Sequence, residues 1–292
     1  MNYVLVANPN AGSDASDVLS LVRRRLPDAR LVHLESGVDL GEHVRAAVAE
    51  GCVVVAVGGD GTVSAVAGHV AGEGGVMGVV PGGTLNHFAR DLGVSEIEEA
   101  LTALVAGATR TVDVGVANDR VFVNNLGIGV YPEVVRERES HEDRWGKWPA
   151  LMASAVKVFV TFEPLEGVVE ADGDRRGLEA AAVFVGNNVF STEPGRIGTR
   201  ERLDAGVLDL RLVRTSKSLR ARSDEAWHAI TRRSGRVVRT DARRVRIELR
   251  DGARPLALDG EEVGDYESVD VAIRPGALRV VTPAATPQPT KP

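Results

Sequence analysis

Val53-Val54-Val55-Ala56-Val57-Gly58-Gly59-Asp60-Gly61-Thr62 is the stretch that decides the fold. Four valines and an alanine in a row are strand-length and lack the alternation of a half-solvated strand, so both faces of this strand should be covered. Gly58 and Gly59 then turn the chain, and a helical apolar pattern opens at Thr62. Strand, glycine turn and helix N-terminus in that order form a phosphate-binding arrangement, because glycine lets backbone N–H groups approach an anion that the helix dipole favours. Asp60 would repel a bare phosphate, and its place in the turn calls for a divalent cation between carboxylate and phosphate.

The same grammar recurs on either side. An apolar run at 76–80 ends in Pro81-Gly82-Gly83-Thr84-Leu85-Asn86-His87-Phe88-Ala89-Arg90, and the first run, 3–7, ends in Asn8-Pro9-Asn10-Ala11-Gly12. Runs at 31–34 and 111–116, with helical patterns at 16–25, 39–49, 62–71 and 95–106, complete a βαβα order that predicts a doubly wound, mostly parallel sheet. Capping-box spacing marks two helix starts, Asp39 with Glu42 and Ser95 with Glu98. In such a sheet all three glycine turns lie at the carboxyl ends of strands, where open α/β sheets place their ligands. Neither GxxxxGK[ST] nor GxGxxG occurs, which excludes a P-loop and a dinucleotide fingerprint.

From about residue 118 the pattern becomes strand-rich, with runs at 121–124, 167–171, 180–185, 207–213, 237–240, 245–249, 256–258, 269–273 and 278–281. Helical stretches interrupt only near 148–161 and 219–231. This predicts a mainly antiparallel β-sandwich as a second domain. The expected organisation is therefore an α/β domain over 1–117, a β-rich domain over 118–281 and a disordered Pro- and Thr-rich tail over 282–292. Whether the last strand returns to the first domain is open at this level.

Among 292 residues, 43% are hydrophobic, 26% charged and 4% aromatic, with 32 Gly. That is globular composition, and the few aromatics argue against a nucleic-acid stacking platform. One cysteine, Cys52, leaves no intrachain disulfide and fits a reducing compartment. With neither a signal-peptide pattern nor 18 consecutive apolar residues, the expected location is cytoplasmic, with peripheral membrane contact allowed. The net charge of −6 hides an asymmetry: residues 211–250 carry 13 basic and four acidic residues, net +9, against −15 elsewhere. A basic segment of this kind fits docking on an anionic membrane surface. It does not fit nucleic acid, since Trp227 is its one aromatic.

Near the C-terminus, Asp259 and Glu261 flank Gly260. In extended backbone the two carboxylates would face one side, with Glu262 on the other, and paired carboxylates suit proton transfer because each shifts the other's titration. Gly260 also permits a sharp turn, so the tripeptide alone reads first as a link between strands.

Together these motifs resemble the diacylglycerol kinase catalytic-domain family, bacterial lipid kinases related to sphingosine kinases and more distantly to NAD kinases. The resemblance rests on Asn8 to Gly12, Gly58 to Thr62, Gly83 to Arg90 and Asp259-Gly260-Glu261, in order, with Val112 to Gly115, Phe122 to Gly129 and Leu203 to Asp209 between them. It implies an ATP- and Mg²⁺-dependent transfer of phosphate to a lipid hydroxyl. Asn8, Pro9, Asn10, Ala11, Gly12, Gly58, Gly59, Asp60, Gly61, Thr62, Thr84 and Asn86 would hold ATP, and Asp60 and Asp113 its metal. Glu261 would be the proton acceptor with Asp259 beside it. Two departures stand out: His87 replaces a common Asp, and Asp204 precedes Ala205-Gly206 where the family's structural metal loop reads differently, leaving Asp204 or carbonyls to serve that site. The implied partner is a lipid substrate at a membrane surface, and a homodimer is compatible with the sequence. Competing readings are a kinase of another acceptor, such as a sphingoid base or soluble metabolite, and a non-catalytic nucleotide- or lipid-binding module.

Overall fold

The computed structural model describes residues 1–8, 15–35, 37–129, 164–193, 196, 198–214 and 237–283. The expected helices near 148–161 and 219–231, the turn residues Pro9 to Gly12, and the tail beyond 283 lie outside them. Two compact units form. One comprises 1–114, 191–205 and 274–292, the other 115–190 and 206–273. The sequence suggested one boundary near 117; the folded chain crosses between units four times.

The first unit contains β1 (Tyr3–Ala7), α1 (Ala15–Arg25), β2 (Arg30–His33), α2 (Leu40–Ala49), β3 (Val53–Gly58), α3 (Asp60–Glu73), β4 (Val76–Pro81), α4 (His87–Asp91), α5 (Ile97–Ala106) and most of β5 (Thr109–Ala117). Strands pair in parallel in the order β2, β1, β3, β4, with Tyr3 opposite Val53 and Val53 opposite Val76. Every residue of β3 is buried, as its unbroken apolar run requires. The reversal of direction at β1 puts α1 and α2 on opposite faces, given right-handed crossovers. α2 packs on α3, and α1 on α5. α3 buries Val63, Val66, Ala67 and Val70, an i, i+3, i+4, i+7 stripe, and ends at Gly74 in the left-handed conformation.

The cap at Asp39 is as expected, its Oδ1 accepting from Glu42 N at 3.0 Å. The second box sits one residue later than the spacing predicted. The helix starts at Ile97, and Glu99, not Glu98, reaches back to Ser95 N and Glu96 N.

The second unit contains β6 (Arg120–Phe122), β7 (Asn125–Gly129), β8 (Leu165–Ala171), β9 (Asp174–Asn187), β10 (Leu208–Arg214), β11 (Val237–Ala242), β12 (Arg244–Leu249), β13 (Arg254–Leu258), β14 (Glu261–Tyr266) and the start of β15 (Ser268–Val281). Its pairings are antiparallel. The 14-residue β9 serves two layers: its first half pairs with β8 and its second with β7 and β10. Phe122, Leu126, Ile128, Leu165, Val183, Val185, Leu208, Ile247 and Leu256 fill the core between them. The second half of β15 returns to the first unit and pairs in parallel with β4 at Arg279 and Val280. An α/β domain with a mostly parallel sheet and an antiparallel β-rich domain are thus both present.

Candidate functional site

In the first unit the glycine turns after β3 and β4 interlock. Gly82 N donates to Gly58 O at 2.9 Å. A Cβ built on Gly83 would lie 2.5 Å from Gly59 Cα, and one on Gly82 would lie 3.2 Å from Gly58 Cα. Gly58 itself has φ +159°, and a Cβ there would meet Thr62 Oγ1 at 2.7 Å. Sequence reasoning assigned these glycines to anion approach. The structure gives them a prior task, letting two backbones touch.

Asp60, the first residue of α3, ties the turns together. Its carboxylate accepts from His87 N at 3.3 Å and Phe88 N at 3.4 Å, the first two amides of α4. Asn86, in the left-handed conformation at φ 48°, organises the second turn: its Oδ1 accepts from Gly83 N at 2.9 Å and its Nδ2 donates to Gly83 O at 2.7 Å. Thr84 is exposed on that turn and Thr62 is buried. The cap position of α3 is Gly59, which supplies no side-chain bond, so an anion can take that place at the helix N-terminus. Asn8 follows β1, half-buried. His87 Nδ1 lies 3.3 Å from Arg90 Nη2.

The three proposed metal carboxylates have separate duties. Asp113 is 1% exposed in β5, and its Oδ1 accepts from Gly276 N at 2.8 Å. Asp204 is exposed and accepts from Arg202 Nε at 3.0 Å. Among the described residues no group of three or more His, Cys, Asp or Glu gathers as a metal cage. A nucleotide-bound Mg²⁺ does not need one, since it takes one or two carboxylates with phosphate oxygens and water. Asp60, set in a glycine turn at a helix N-terminus, fits that donor set; Asp204, assigned from the sequence to a separate structural metal site, has Arg202 as an exposed ion-pair partner.

In the second unit, Asp259 and Gly260 form the two-residue turn joining β13 to β14, at φ 50° and 90°, with Leu258 opposite Glu261. The backbone there is not extended, and the expected same-side pair of carboxylates does not form: Asp259 is 8% exposed, while Glu261 and Glu262 are both exposed. Positive φ at both central residues is the hairpin geometry that Asp-Gly favours. The Asp259 carboxylate turns inward and accepts from Val123 N at 2.8 Å, Asn124 N at 2.7 Å and Asn125 N at 2.9 Å, while Asp259 N donates to Asn125 O at 2.8 Å. The corner between β6 and β7 therefore exists because its amides serve a carboxylate. This splits the single strand expected at 121–124.

Three features went unassigned in the sequence. Asn124, Asn187 and Asn188 are buried around that corner, with Asn187 Nδ2 donating to Val123 O at 2.9 Å. Asp91, at the end of α4, holds Arg200 Nε at 2.6 Å with both side chains shielded from solvent. Asp209, 1% exposed, accepts from Phe190 N at 3.0 Å, Arg211 Nη2 at 2.6 Å and Arg239 Nε at 2.9 Å. Asn124 and Asp209 fall within motifs visible in the sequence, but no spacing rule paired Asp91 with a residue over a hundred positions away. A cavity of about 310 Å³ also opens in this unit, lined by Val169, Leu210, Leu212 and Val238 together with the charged Asp174, Arg176, Glu179 and Arg214.

Comparison with known proteins agrees with this architecture. The family model of the diacylglycerol kinase catalytic domain matches residues 2–117, and that of the YegS C-terminal NAD kinase beta sandwich-like domain matches residues 134–282. The chain is 26% identical over 244 residues to a diacylglycerol kinase of Bacillus subtilis (strain 168), covering 78% of this chain and 80% of that protein. It is 27% identical over 237 residues to a Chromohalobacter salexigens protein named "Probable lipid kinase YegS-like", covering 79% and 76%. The crystal structure of a diacylglycerol kinase from Bacillus anthracis superposes with a TM-score of 0.67 at 22% identity over 96% of each chain, a likeness of fold. Fold and matched catalytic domain together define a kinase, a phosphotransferase with an alcohol group as acceptor. The chain belongs to the diacylglycerol kinase catalytic-domain family of lipid kinases, and its second domain is of the YegS C-terminal type.

Proposed function

We propose that this protein transfers the γ-phosphate of ATP to the hydroxyl of a diacylglycerol-like lipid. The observation that carries the reading is the interlocked pair of glycine turns, which presents the N-terminus of α3 without a side-chain cap at the carboxyl edge of a parallel sheet. Phosphoryl transfer asks mainly for positioning and charge stabilisation. Amides of 58–62, Thr62, Thr84, Asn86 and the turn beginning at Asn8 would cradle the phosphates. Mg²⁺ held by Asp60 would offset charge on the phosphoryl oxygens. Asp113 acts at one remove, fixing the backbone at Gly276. Glu261, at the hairpin tip, takes the acceptor's proton. The basic 211–250 segment supports peripheral contact with a membrane that holds a lipid acceptor.

The test is incubation with labelled ATP, Mg²⁺ and a mixed lipid extract, followed by identification of the labelled product. A phosphorylated glycerolipid is expected. Label in a sphingoid base or soluble metabolite would move the acceptor, and saturable ATP binding with no ADP release over any lipid would make the protein a binding module. Glu261→Gln should abolish turnover and leave ATP affinity unchanged; a fully active variant would remove Glu261 from the role of base.

A further inference from the structure

The sequence presents Asp259 and Glu261 as a carboxylate pair, but the fold separates them. Both oxygens of Asp259 are engaged: Oδ2 by Val123 N, Oδ1 by Asn124 N and Asn125 N. Three backbone N–H groups on one carboxylate favour its charged form, and proton uptake would weaken these charge-assisted bonds in a site shielded from water. The N–H of Asp259 returns a bond to Asn125 O, so the turn and the corner are clasped in both directions. From the other side Asn187 closes the clasp, its Nδ2 holding Val123 O and its N–H holding Asn124 O at 2.8 Å.

Where this clasp sits matters for the residue that follows it. β13 pairs with β7 through Leu258 opposite Leu126, and Glu261 is the first residue after the turn. The position of the Glu261 backbone relative to β7 is therefore set by the bonds of Asp259, one residue beyond the last ladder pair. We infer that Asp259 is a positioning residue, an ionised clamp that with Asn187 holds the 123–125 corner against the hairpin and so places Glu261, and that it exchanges no proton itself. The inference rests on the proposed role of Glu261 and deepens it by dividing the work of the two carboxylates.

Three variants test it: Asp259→Asn, Asn187→Ser, which loosens the same corner without touching a carboxylate, and Glu261→Gln. Hydrogen exchange of the Val123, Asn124 and Asn125 amides needs no substrate. It should accelerate about tenfold or more in Asp259→Asn, as the loss of one net hydrogen bond implies, accelerate less in Asn187→Ser, and stay unchanged in Glu261→Gln. With ATP, Mg²⁺ and diacylglycerol vesicles, Asp259→Asn should lower kcat about 100-fold, the scale of a misplaced catalytic group, with KM for ATP nearly unchanged. The acid limb of its pH–rate profile should keep the wild-type midpoint. Asn187→Ser should show a milder fall of kcat with the same limb. Unchanged amide exchange in Asp259→Asn overturns the clamp. Loss of the acid limb in that variant, or a wild-type kcat in Asn187→Ser despite faster exchange, overturns the division of roles. If the wild-type protein phosphorylates no lipid, the proposed function fails while the exchange arm still decides the clamp.

Discussion

A methyl group on Gly83 would sit 2.5 Å from Gly59 Cα, a contact between two backbones in which neither atom can rotate away. Gly83→Ala should force the turns apart, costing about 1–3 kcal/mol as overpacking does, and should weaken ATP binding because the amides no longer converge. Thermal melting and an ATP titration check this. A variant with wild-type melting and affinity would show that the turns do not depend on close approach. Gly82→Ala, at 3.2 Å, should be milder. Asp60 shows why residue identity underdetermines role: GGDGT announces a carboxylate in a phosphate turn, yet the bonds of that carboxylate to His87 N and Phe88 N come from a segment 27 residues further on. His87 contributes a backbone amide there, which any residue would supply. Its replacement of an acidic residue leaves this link intact.

Element by element, strand and helix identities followed from periodicity, because a fully buried parallel strand and an amphipathic helix leave clear patterns, as in β3 and in α2 with its buried Leu40, Val44 and Ala47. The second capping box differs by one position, since Glu98 and Glu99 are equivalent in a pattern and only the entry angle of the chain selects one. The 191–205 excursion left no periodic signal at all. It is anchored on the first unit by the Arg200 to Asp91 pair and by Asp113 N donating to Leu203 O at 2.7 Å. Asp91→Asn would leave a buried guanidinium without its carboxylate and should destabilise the protein by about 3–5 kcal/mol, read by urea unfolding. Replacing both partners with Leu should cost less than that single change. A cost for Asp91→Asn below about 1 kcal/mol, the range of an exposed pair, would show that this pair does not hold the excursion.

Over the whole molecule, the basic segment 211–250 is less bare than its sum of +9 suggests. Among the described residues, Arg211 and Arg239 pair with Asp209, and Arg246 with Glu248 and Asp270; Asp209 and Asp270 both lie outside the segment. Arg243 and Arg244 are exposed beyond those pairs. Among the described residues no helix is long and apolar enough to cross a membrane. If this basic charge docks the protein on a membrane, binding to vesicles should rise with anionic lipid and fade as salt is added. Removing Arg243 and Arg244 together should weaken it by about 2 kcal/mol, at about 1 kcal/mol per well-placed charge. Equal binding to neutral and anionic vesicles in a sedimentation assay would count against a docking role. At this scale the α/β and β-rich halves, the glycine turns and the family are legible along the chain, because these rest on local periodicity and on contiguous motifs. Tertiary structure alone decided the rest: which glycines touch, which unit residues 191–205 and the end of β15 join, and that Asp259 faces inward while Glu261 faces out. Those outcomes depend on backbone amides and carboxylates up to 163 positions apart finding one another, as Gly276 finds Asp113 and, across 136 positions, Val123 finds Asp259, and a hydrogen bond between distant segments leaves no period in the chain.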